Sequence, residues 1–217
     1  MGRLGLALLI SVVGSALAFG DEPVFGVPMK PDPAFAIDGD LGDWAEVPNA
    51  LRIEKPEQVV WGPGTWTSAQ DLSGTVHVAW RQEHLYVAAD VTDDMLRQSQ
   101  RGGSIWKGDH IELYLDVQPD LESERTSFGE GQFHLALSPG NFGANPDPLM
   151  NCAPEAYCYV PKAGPIAGAI VAAAQTSTGY AIEAAIPWEA LGVKPAQGME
   201  LRLEVGLSDT DSPEPQQ

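Results

Sequence analysis

Basic residues are scarce in this chain, whereas acidic residues are abundant. Its 217 residues include 12 Lys and Arg but 30 Asp and Glu, which gives a formal net charge of -18. A surface of this sign repels phosphate backbones and anionic headgroups, so the composition argues against nucleic-acid binding. It is compatible with neutral ligands and with cations, although such a charge can also serve solubility alone.

Long apolar runs are also few. One run covers residues 4–13, directly after Arg3, and the small-residue pattern Ala16-Leu17-Ala18 follows it. This combination is typical of secretory signal peptides. We therefore predict a signal peptide over residues 1–18 and a secreted protein, periplasmic or extracellular. No later stretch approaches the roughly 20 apolar residues of a membrane helix, so membrane insertion is not expected.

Cysteine is nearly absent, with Cys152 and Cys158 as the two examples. Two cysteines without a nearby histidine make a poor zinc site. Because a secreted protein experiences an oxidising environment, we predict a disulfide between Cys152 and Cys158. A bridge over so short a loop is expected to stabilise a local segment rather than the whole fold.

Helical periodicity is rare, and strand alternation takes its place. In the segment 110–117, Ile111, Leu113 and Leu115 alternate with polar residues, which is the period of a strand with one buried face. Similar alternation marks further segments: 75–80, 85–91, 132–137, 166–176, 180–186 and 201–207. These strands predict an all-β, antiparallel β-sandwich of the immunoglobulin or jelly-roll type.

Two segments between these strands are predicted as irregular. Residues 51–71 are polar and contain Trp61 and Trp66, which could form a ligand surface or cover one end of a sandwich. Residues 138–165 are rich in Pro, Asn and Gly and are predicted as one long loop that holds both cysteines. One short helical turn is expected at 187–192, with Pro near its start and Gly at its end.

An aromatic residue just before the 110–117 strand lies close in sequence to a carboxylate within that strand. Trp106 lies among glycines, and Glu112 is on the polar side of the strand. An indole can cover the C–H face of a sugar while a carboxylate accepts hydrogen bonds from its hydroxyls. The alternative is a core tryptophan beside a solvated strand face, because tryptophan is often buried.

An acidic turn near the start of the chain is a candidate metal site. Asp38, Asp40 and Asp43 offer oxygen ligands of the kind that calcium prefers. The turn is not an EF-hand, because a glutamate is lacking at its twelfth position. Asp93-Asp94 is the alternative calcium site, and turn-forming aspartates without metal are a third possibility. Trp44, which ends this turn, is expected in the core.

Four phrases, read in order, resemble the family 9 carbohydrate-binding module. They are Ile37-Asp38-Gly39 with Trp44, the strand 85–93, the segment 106–112 and the segment 179–188. The resemblance covers residues 36–211. It leaves residues 19–35 as an extended lead-in and residues 212–217 as a frayed tail.

The resemblance implies a β-sandwich that binds sugars and structural calcium. Members of the family hold the terminal sugars of glucan or xylan chains between two tryptophans. Trp106 then corresponds to the first of these, Glu112 to the nearby carboxylate and His134 to a basic residue of the next strand. The second tryptophan and a final strand would follow residues 208–211, so we predict a sandwich that lacks its last C-terminal strand.

The expected function is therefore that of a secreted, non-catalytic module for plant-type polysaccharide or oligosaccharide ends, acting in carbohydrate catabolism. A catalytic partner domain is expected outside this chain. Enzymatic activity is left open, because Asp109 with Glu112, or Glu183 with Glu204, could supply the two carboxylates of a glycoside hydrolase. A haem-carrying electron-transfer sandwich is the second alternative, since His and Met are present, although a C-x-x-C-H motif is lacking.

Overall fold

The computed structural model describes residues 8–11, 26–119 and 127–211. Short 3-10 helices and twelve strands make up these parts of the chain. The strands are β1 (Leu8–Ser11), β2 (Leu51–Ile53), β3 (Val59–Trp61), β4 (Leu72–Trp80), β5 (His84–Asp93), β6 (His110–Asp116), β7 (Gln132–Ser138), β8 (Glu155–Val160), β9 (Gly164–Pro165), β10 (Ile170–Gln175), β11 (Gly179–Pro187) and β12 (Arg202–Asp209).

The helices are all of the 3-10 type and short. They span Leu41–Trp44, Pro56–Gln58, Gly102–Lys107, Pro148–Met150 and Trp188–Leu191. The last one confirms the predicted helical turn, and Gly192 ends it with a φ of 66°. Among the described residues, every helix is too short or too polar to cross a membrane.

The strands form two antiparallel sheets. The front sheet has the order β3-β1-β12-β6-β7-β8-β9, and the back sheet has the order β10-β11-β5-β4-β2. The predicted alternation decides which residues lie between them: on β6, Ile111 and Leu113 are buried, and on β5, Val87 and Val91 are buried. The prediction of an all-β antiparallel sandwich is therefore confirmed.

A second, smaller cluster covers the outer face of the back sheet. Phe35 and Trp44 stack with ring centroids 3.8 Å apart and pack on Tyr86 and its neighbours. Beneath them, the buried Glu183 of β11 accepts hydrogen bonds from Trp44 Nε1 at 2.7 Å and from the backbone N–H of Gly39 at 2.6 Å. Trp44 is thus buried, as predicted, and the acidic turn that it ends is held on the sheet by the Glu183 carboxylate.

Part of the predicted signal peptide is described. Residues 8–11 form β1, which pairs with β12 on one side and with β3 on the other. Residues 1–7, 12–25 and 212–217 lie outside the described residues, and with them most of the predicted signal peptide and the predicted tail. β12 is the last described strand, and it lies between β1 and β6.

The predicted disulfide is wrong. Both thiols are free; Cys158 lies on β8, whereas Cys152 lies three residues before β8 begins. Cys158 on β8 is opposite Leu135 of β7. The backbone of Cys152 is bonded instead to Asn141, which follows Leu135 by six residues. Because extended residues rise about 3.3 Å each, the two cysteines cannot approach to the 7 Å that a bridge requires.

Candidate functional site

The outer face of the front sheet carries a line of aromatic side chains. We call Trp106, Tyr159, His134, Tyr114 and Phe128 the aromatic row. The Tyr114 and His134 rings stack at 4.3 Å, the His134 and Tyr159 rings are 4.9 Å apart, and Phe128 is 6.3 Å from Tyr114 and 6.2 Å from His134. The row exists because Tyr114 and His134 are opposite one another on β6 and β7, while Tyr159 belongs to the next strand, β8.

Trp106 adjoins the rest of the aromatic row through its backbone. Its helix, Gly102–Lys107, contacts β8, and its backbone N–H donates to the Tyr159 hydroxyl at 3.2 Å. Gly103 allows this approach, because a Cβ at that position would be 3.2 Å from the Tyr157 hydroxyl. The Trp106 side chain is 38% exposed, whereas its neighbour Ile105 is completely buried. Trp106 is therefore a surface ring and not a core residue.

Glu112 lies beside the row and is almost buried. Its Oε2 accepts from the Tyr114 hydroxyl at 2.9 Å, and its Oε1 is 3.0 Å from His134 Nε2 and 3.5 Å from His110 Nε2. Burial opposes ionisation, but the neighbouring His110 and His134 side chains outweigh it and hold the pKa of Glu112 well below its usual range. The site therefore contains a carboxylate that stays charged and accepts hydrogen bonds at neutral pH.

A second group of polar residues lies inside the molecule, where β5 and β12 end and β6 begins. We call Asp93, Asp109 and Asp209 the aspartate cluster, since one carboxylate oxygen of each lies within 4.8 Å of the others. Asp209 also belongs to an adjoining group with Asp71 and Asp211. The three members of the cluster are at most 5% exposed.

The electrostatics of the aspartate cluster are unfavourable without a cation. Burial, together with the nearby carboxylates, raises the pKa of Asp93 to about 6 and that of Asp209 to about 8, and it also raises the pKa of Asp109. Asp109 accepts from the backbone N–H groups of Arg97 and Thr210. In contrast, Asp93 Oδ2 and Asp209 Oδ1 have no donor among the described residues. Buried, unpartnered carboxylate oxygens are the ligands of a hard cation.

Comparison with known proteins identifies the family. The model of the family "Carbohydrate family 9 binding domain-like" matches residues 37–217. The chain belongs to this family. The resemblance found in the four sequence phrases is thus confirmed.

One curated relative of this family 9 domain is Exoglucanase XynX of Acetivibrio thermocellus. It is 26% identical over 149 residues, which are 68% of this chain, and the chain spans 12% of the length of that relative. The domain therefore matches only a small part of that much longer relative.

Solved structures share the fold of the domain. A family 9 carbohydrate-binding module from Caldicellulosiruptor kristjanssonii in complex with cellotriose has a TM-score of 0.56 and 19% identity, with 84% of this chain and 81% of that chain covered. Its complex with glucose has a TM-score of 0.56 and 20% identity, with 84% of this chain and 83% of that chain covered. A putative carbohydrate-binding protein from Bacteroides uniformis has a TM-score of 0.52 and 9% identity, with 88% of this chain and 91% of that chain covered.

The structure brings the three predicted sugar-binding residues of this family 9 domain near one another. Glu112 and His134 contact each other directly, and Trp106 is connected to His134 through Tyr159. Sequence reasoning missed Tyr114, although it is on the polar side of the same strand as Glu112. It also missed Phe128, and it missed Tyr159, which lies in the segment 138–165 that was predicted as a loop.

The predicted metal ligands are not brought together. Asp38 and Asp40 each accept from a backbone N–H two residues later, and Asp43 accepts from the N–H of Ala36. These three aspartates do not form a carboxylate group in the described parts of the chain. Asp93 of the alternative pair, however, belongs to the aspartate cluster.

The two candidate carboxylate pairs for hydrolysis are also separated. Glu183 is buried on the back sheet under Trp44, whereas Glu204 is on the front sheet. Asp109 is completely buried in the aspartate cluster, and Glu112 is on the outer face with the aromatic row. Neither pair faces one cleft, as glycoside hydrolysis requires.

Proposed function

We propose that this chain is a non-catalytic module that binds neutral glucan or xylan oligosaccharides on the outer face of the front sheet. The observation that carries the proposal is an exposed indole, Trp106, whose backbone N–H bonds to Tyr159 beside the Glu112–His134 pair. A sugar ring stacks on the indole, and its hydroxyls donate to the charged carboxylate. Two C. kristjanssonii complexes, with cellotriose and with glucose, support a sugar ligand for this fold.

Glu112 can serve a ligand even though it has partners already. A carboxylate offers about four acceptor sites, and the hydroxyl of Tyr114 and the ring of His134 use two of them. These partners fix the orientation of the carboxylate before a ligand arrives, which reduces the entropy lost on binding. The lowered pKa of Glu112 also makes it a poor proton donor, which favours binding over hydrolysis.

The charge of the chain favours a neutral sugar. The net charge is -18, and Glu112 and Asp116 of β6 and Glu204 of β12 all belong to the outer side of the front sheet. An anionic polymer that contains uronic acids would be repelled by these carboxylates. Cello- and xylo-oligosaccharides carry no charge and are therefore the ligands of choice.

Calorimetric titration with cello- and xylo-oligosaccharides tests the proposal. We expect Trp106→Ala to weaken binding about 30-fold, since loss of a central aromatic contact costs about 2 kcal/mol. Trp61→Ala is the matched control, because Trp61 is 60% exposed on β3, away from the aromatic row. Equal affinity of the wild type and Trp106→Ala, or no binding by a folded wild type, would overturn the proposal.

Two alternatives have simple tests. Release of reducing sugar from xylan that disappears in Glu112→Gln would establish a glycoside hydrolase. A Soret band in the purified protein would establish a haem protein. We expect neither result.

We further propose that the aspartate cluster holds a structural calcium ion. The residues fit the ion: three carboxylates converge in the interior, and Asp93 Oδ2 and Asp209 Oδ1 lack donors among the described residues. The ion supplies positive charge that ties the end of β5 to the start of β6 and the end of β12. Asp209→Asn should abolish calcium binding in a calorimetric titration of chelator-treated protein, whereas Asp40→Asn should not.

We also propose that residues 1–18 direct export and are then removed, and that a catalytic domain accompanies this module in its complete protein. The apolar run after Arg3 supports the first part, and the relation to a much longer exoglucanase supports the second. Removal would free the sides of β3 and β12 that pair with β1. Mass spectrometry of the exported protein should give Phe19 as its first residue, and retention of residues 1–18 would contradict the proposal.

A further inference from the structure

Tyr159 is in contact with both parts of the proposed sugar site. Its hydroxyl oxygen accepts the backbone N–H of Trp106 at 3.2 Å, and its ring is 4.9 Å from the ring of His134. His134 in turn is bonded to Glu112 at 3.0 Å. One side chain therefore connects the residue that carries the exposed indole with the histidine that contacts the carboxylate.

An irregularity in the pairing of β7 with β8 occurs at Tyr159. His134 of β7 is opposite Val160, and the next residue, Leu135, is opposite Cys158. Tyr159 is the extra residue between these two pairs, which is the pattern of a β-bulge. Bulges change the direction of a side chain and are frequent beside functional sites. The regular ladder is thus interrupted at the residue that connects the two parts of the site.

The ring of Tyr159 is held by its neighbours, whereas its hydroxyl hydrogen is free. The ring contacts those of His134 and Tyr157, with centroids 4.9 and 5.1 Å away. A tyrosine hydroxyl donates as well as accepts, and this one has no acceptor for its own hydrogen among the residues that the structure describes. Burial, together with the nearby charge of Glu112, raises the pKa of Tyr159 to about 12, so the hydrogen is retained at neutral pH.

A sugar hydroxyl fits this combination of groups. The ionised carboxylate of Glu112 can only accept, and the hydroxyl of Tyr114 and Nε2 of His134 are already directed at it. A sugar hydroxyl that donates to Glu112 still has lone pairs, which need a donor. The free hydrogen of Tyr159 supplies one. Because hydrogen bonds in a chain polarise one another, the two bonds strengthen each other.

We propose that Tyr159 is a sugar-binding residue of this site, whose hydroxyl accepts the Trp106 N–H and donates its own hydrogen to the sugar hydroxyl that bonds to Glu112. This inference rests on the proposed sugar-binding function, and it adds a residue that determines specificity. A site with such a donor discriminates against a sugar that lacks the accepting oxygen. One hydroxyl position of the sugar therefore has a large effect on the affinity.

The test is a calorimetric titration of the wild type and Tyr159→Phe with cellobiose and xylobiose, and with analogues of each that lack one hydroxyl at a time. Tyr157→Phe is the matched control, because it removes a hydroxyl from the same strand two residues away. Circular dichroism spectra and melting temperatures establish that each variant is folded.

We expect Tyr159→Phe to weaken the binding of the unmodified disaccharide about tenfold, which corresponds to about 1.4 kcal/mol, and Tyr157→Phe to have little effect. One analogue should bind equally to the wild type and to Tyr159→Phe, because the oxygen that accepts from Tyr159 is missing. For the wild type, the same analogue should be the weakest ligand of the series, since it loses the contacts with both Tyr159 and Glu112.

Equal affinity of the wild type and Tyr159→Phe for the disaccharides would overturn the inference. A loss in Tyr159→Phe that is the same for every analogue would also overturn it, because the hydroxyl would then act only by holding the Trp106 backbone. In both cases the wild type still binds sugar, so the proposed function stands. Absence of binding by a folded wild type would remove the proposed function together with this inference.

Discussion

Removal of the calcium ion that we propose for the aspartate cluster should make the stability of this protein strongly dependent on pH. Without the ion, Asp209 has a pKa of about 8 in the folded chain against an ordinary value of 3.8. The folded state then binds a proton that the unfolded state has released. The contribution of Asp209 to stability is complete below about pH 4 and is lost as the pH rises through about 8.

The magnitude follows from the width of this interval. Between pH 5 and pH 8, the free energy of unfolding falls by about 1.4 kcal/mol for each of the three pH units, which is about 4 kcal/mol in total. For a chain of this size, a change of 1 kcal/mol shifts the melting temperature by about 2–4 °C. The chelator-treated protein should therefore melt roughly 8–16 °C lower at pH 8 than at pH 5. Bound calcium stabilises the ionised carboxylates and should remove most of this difference.

Differential scanning calorimetry from pH 5 to pH 8, with chelator and with calcium, is the assay. Asp209→Asn gives a result of opposite sign under the two conditions. With chelator at pH 8 it should be more stable than the wild type, because one buried repulsive charge is gone, and with calcium it should be less stable. Asp40→Asn should behave as the wild type throughout. Identical melting curves with chelator and with calcium at pH 8 would refute the reasoning.

Three further predictions concern the framework. Glu183→Ala removes the acceptor of the buried Trp44 indole and should lower the free energy of unfolding, measured in urea, by about 3 kcal/mol. Glu189→Ala, at an exposed position, is the control and should have little effect. Equal losses in the two variants would contradict this prediction. Gly74→Ala places a Cβ 2.8 Å from Leu207 Cδ1 and should cost about 1–3 kcal/mol, whereas Gly64→Ala, with open space around it, should be tolerated in the same urea assay. Reductant should not change the melting temperature, because both cysteines are free; a drop would indicate a bridge.

Much of the fold could be predicted because strand alternation is a local signal. The strand predicted over 85–91 is β5 at His84–Asp93, and the alternation within 110–117 is β6. β8 was missed, although Tyr157 and Tyr159 alternate with inward residues, because Pro, Asn and Gly surround it. The aromatic row was therefore only partly visible in the sequence.

The aspartate cluster could not be predicted from local spacing. The predicted trio, which includes Asp38 and Asp40, is close in sequence, but short turns let such aspartates bond to their own backbone. Asp93, Asp109 and Asp209 are far apart in sequence, and only the pairing of the strands brings them together. In this fold, strand pairing gathers carboxylates into one buried group, whereas the aspartates of one turn bond to nearby backbone instead.

The segment 35–44 covers the outer face of the back sheet, so the two outer faces of the molecule differ. Phe35, Trp44 and Glu183 close that side, and the face that we propose for the ligand is separated from it by the thickness of both sheets. A linkage introduced at the exposed Ile170 would anchor the module by its closed side and turn the aromatic row toward the medium. Sensors or fused enzymes attached there would point the ligand face at an insoluble substrate, whereas attachment near Phe128 would obstruct it.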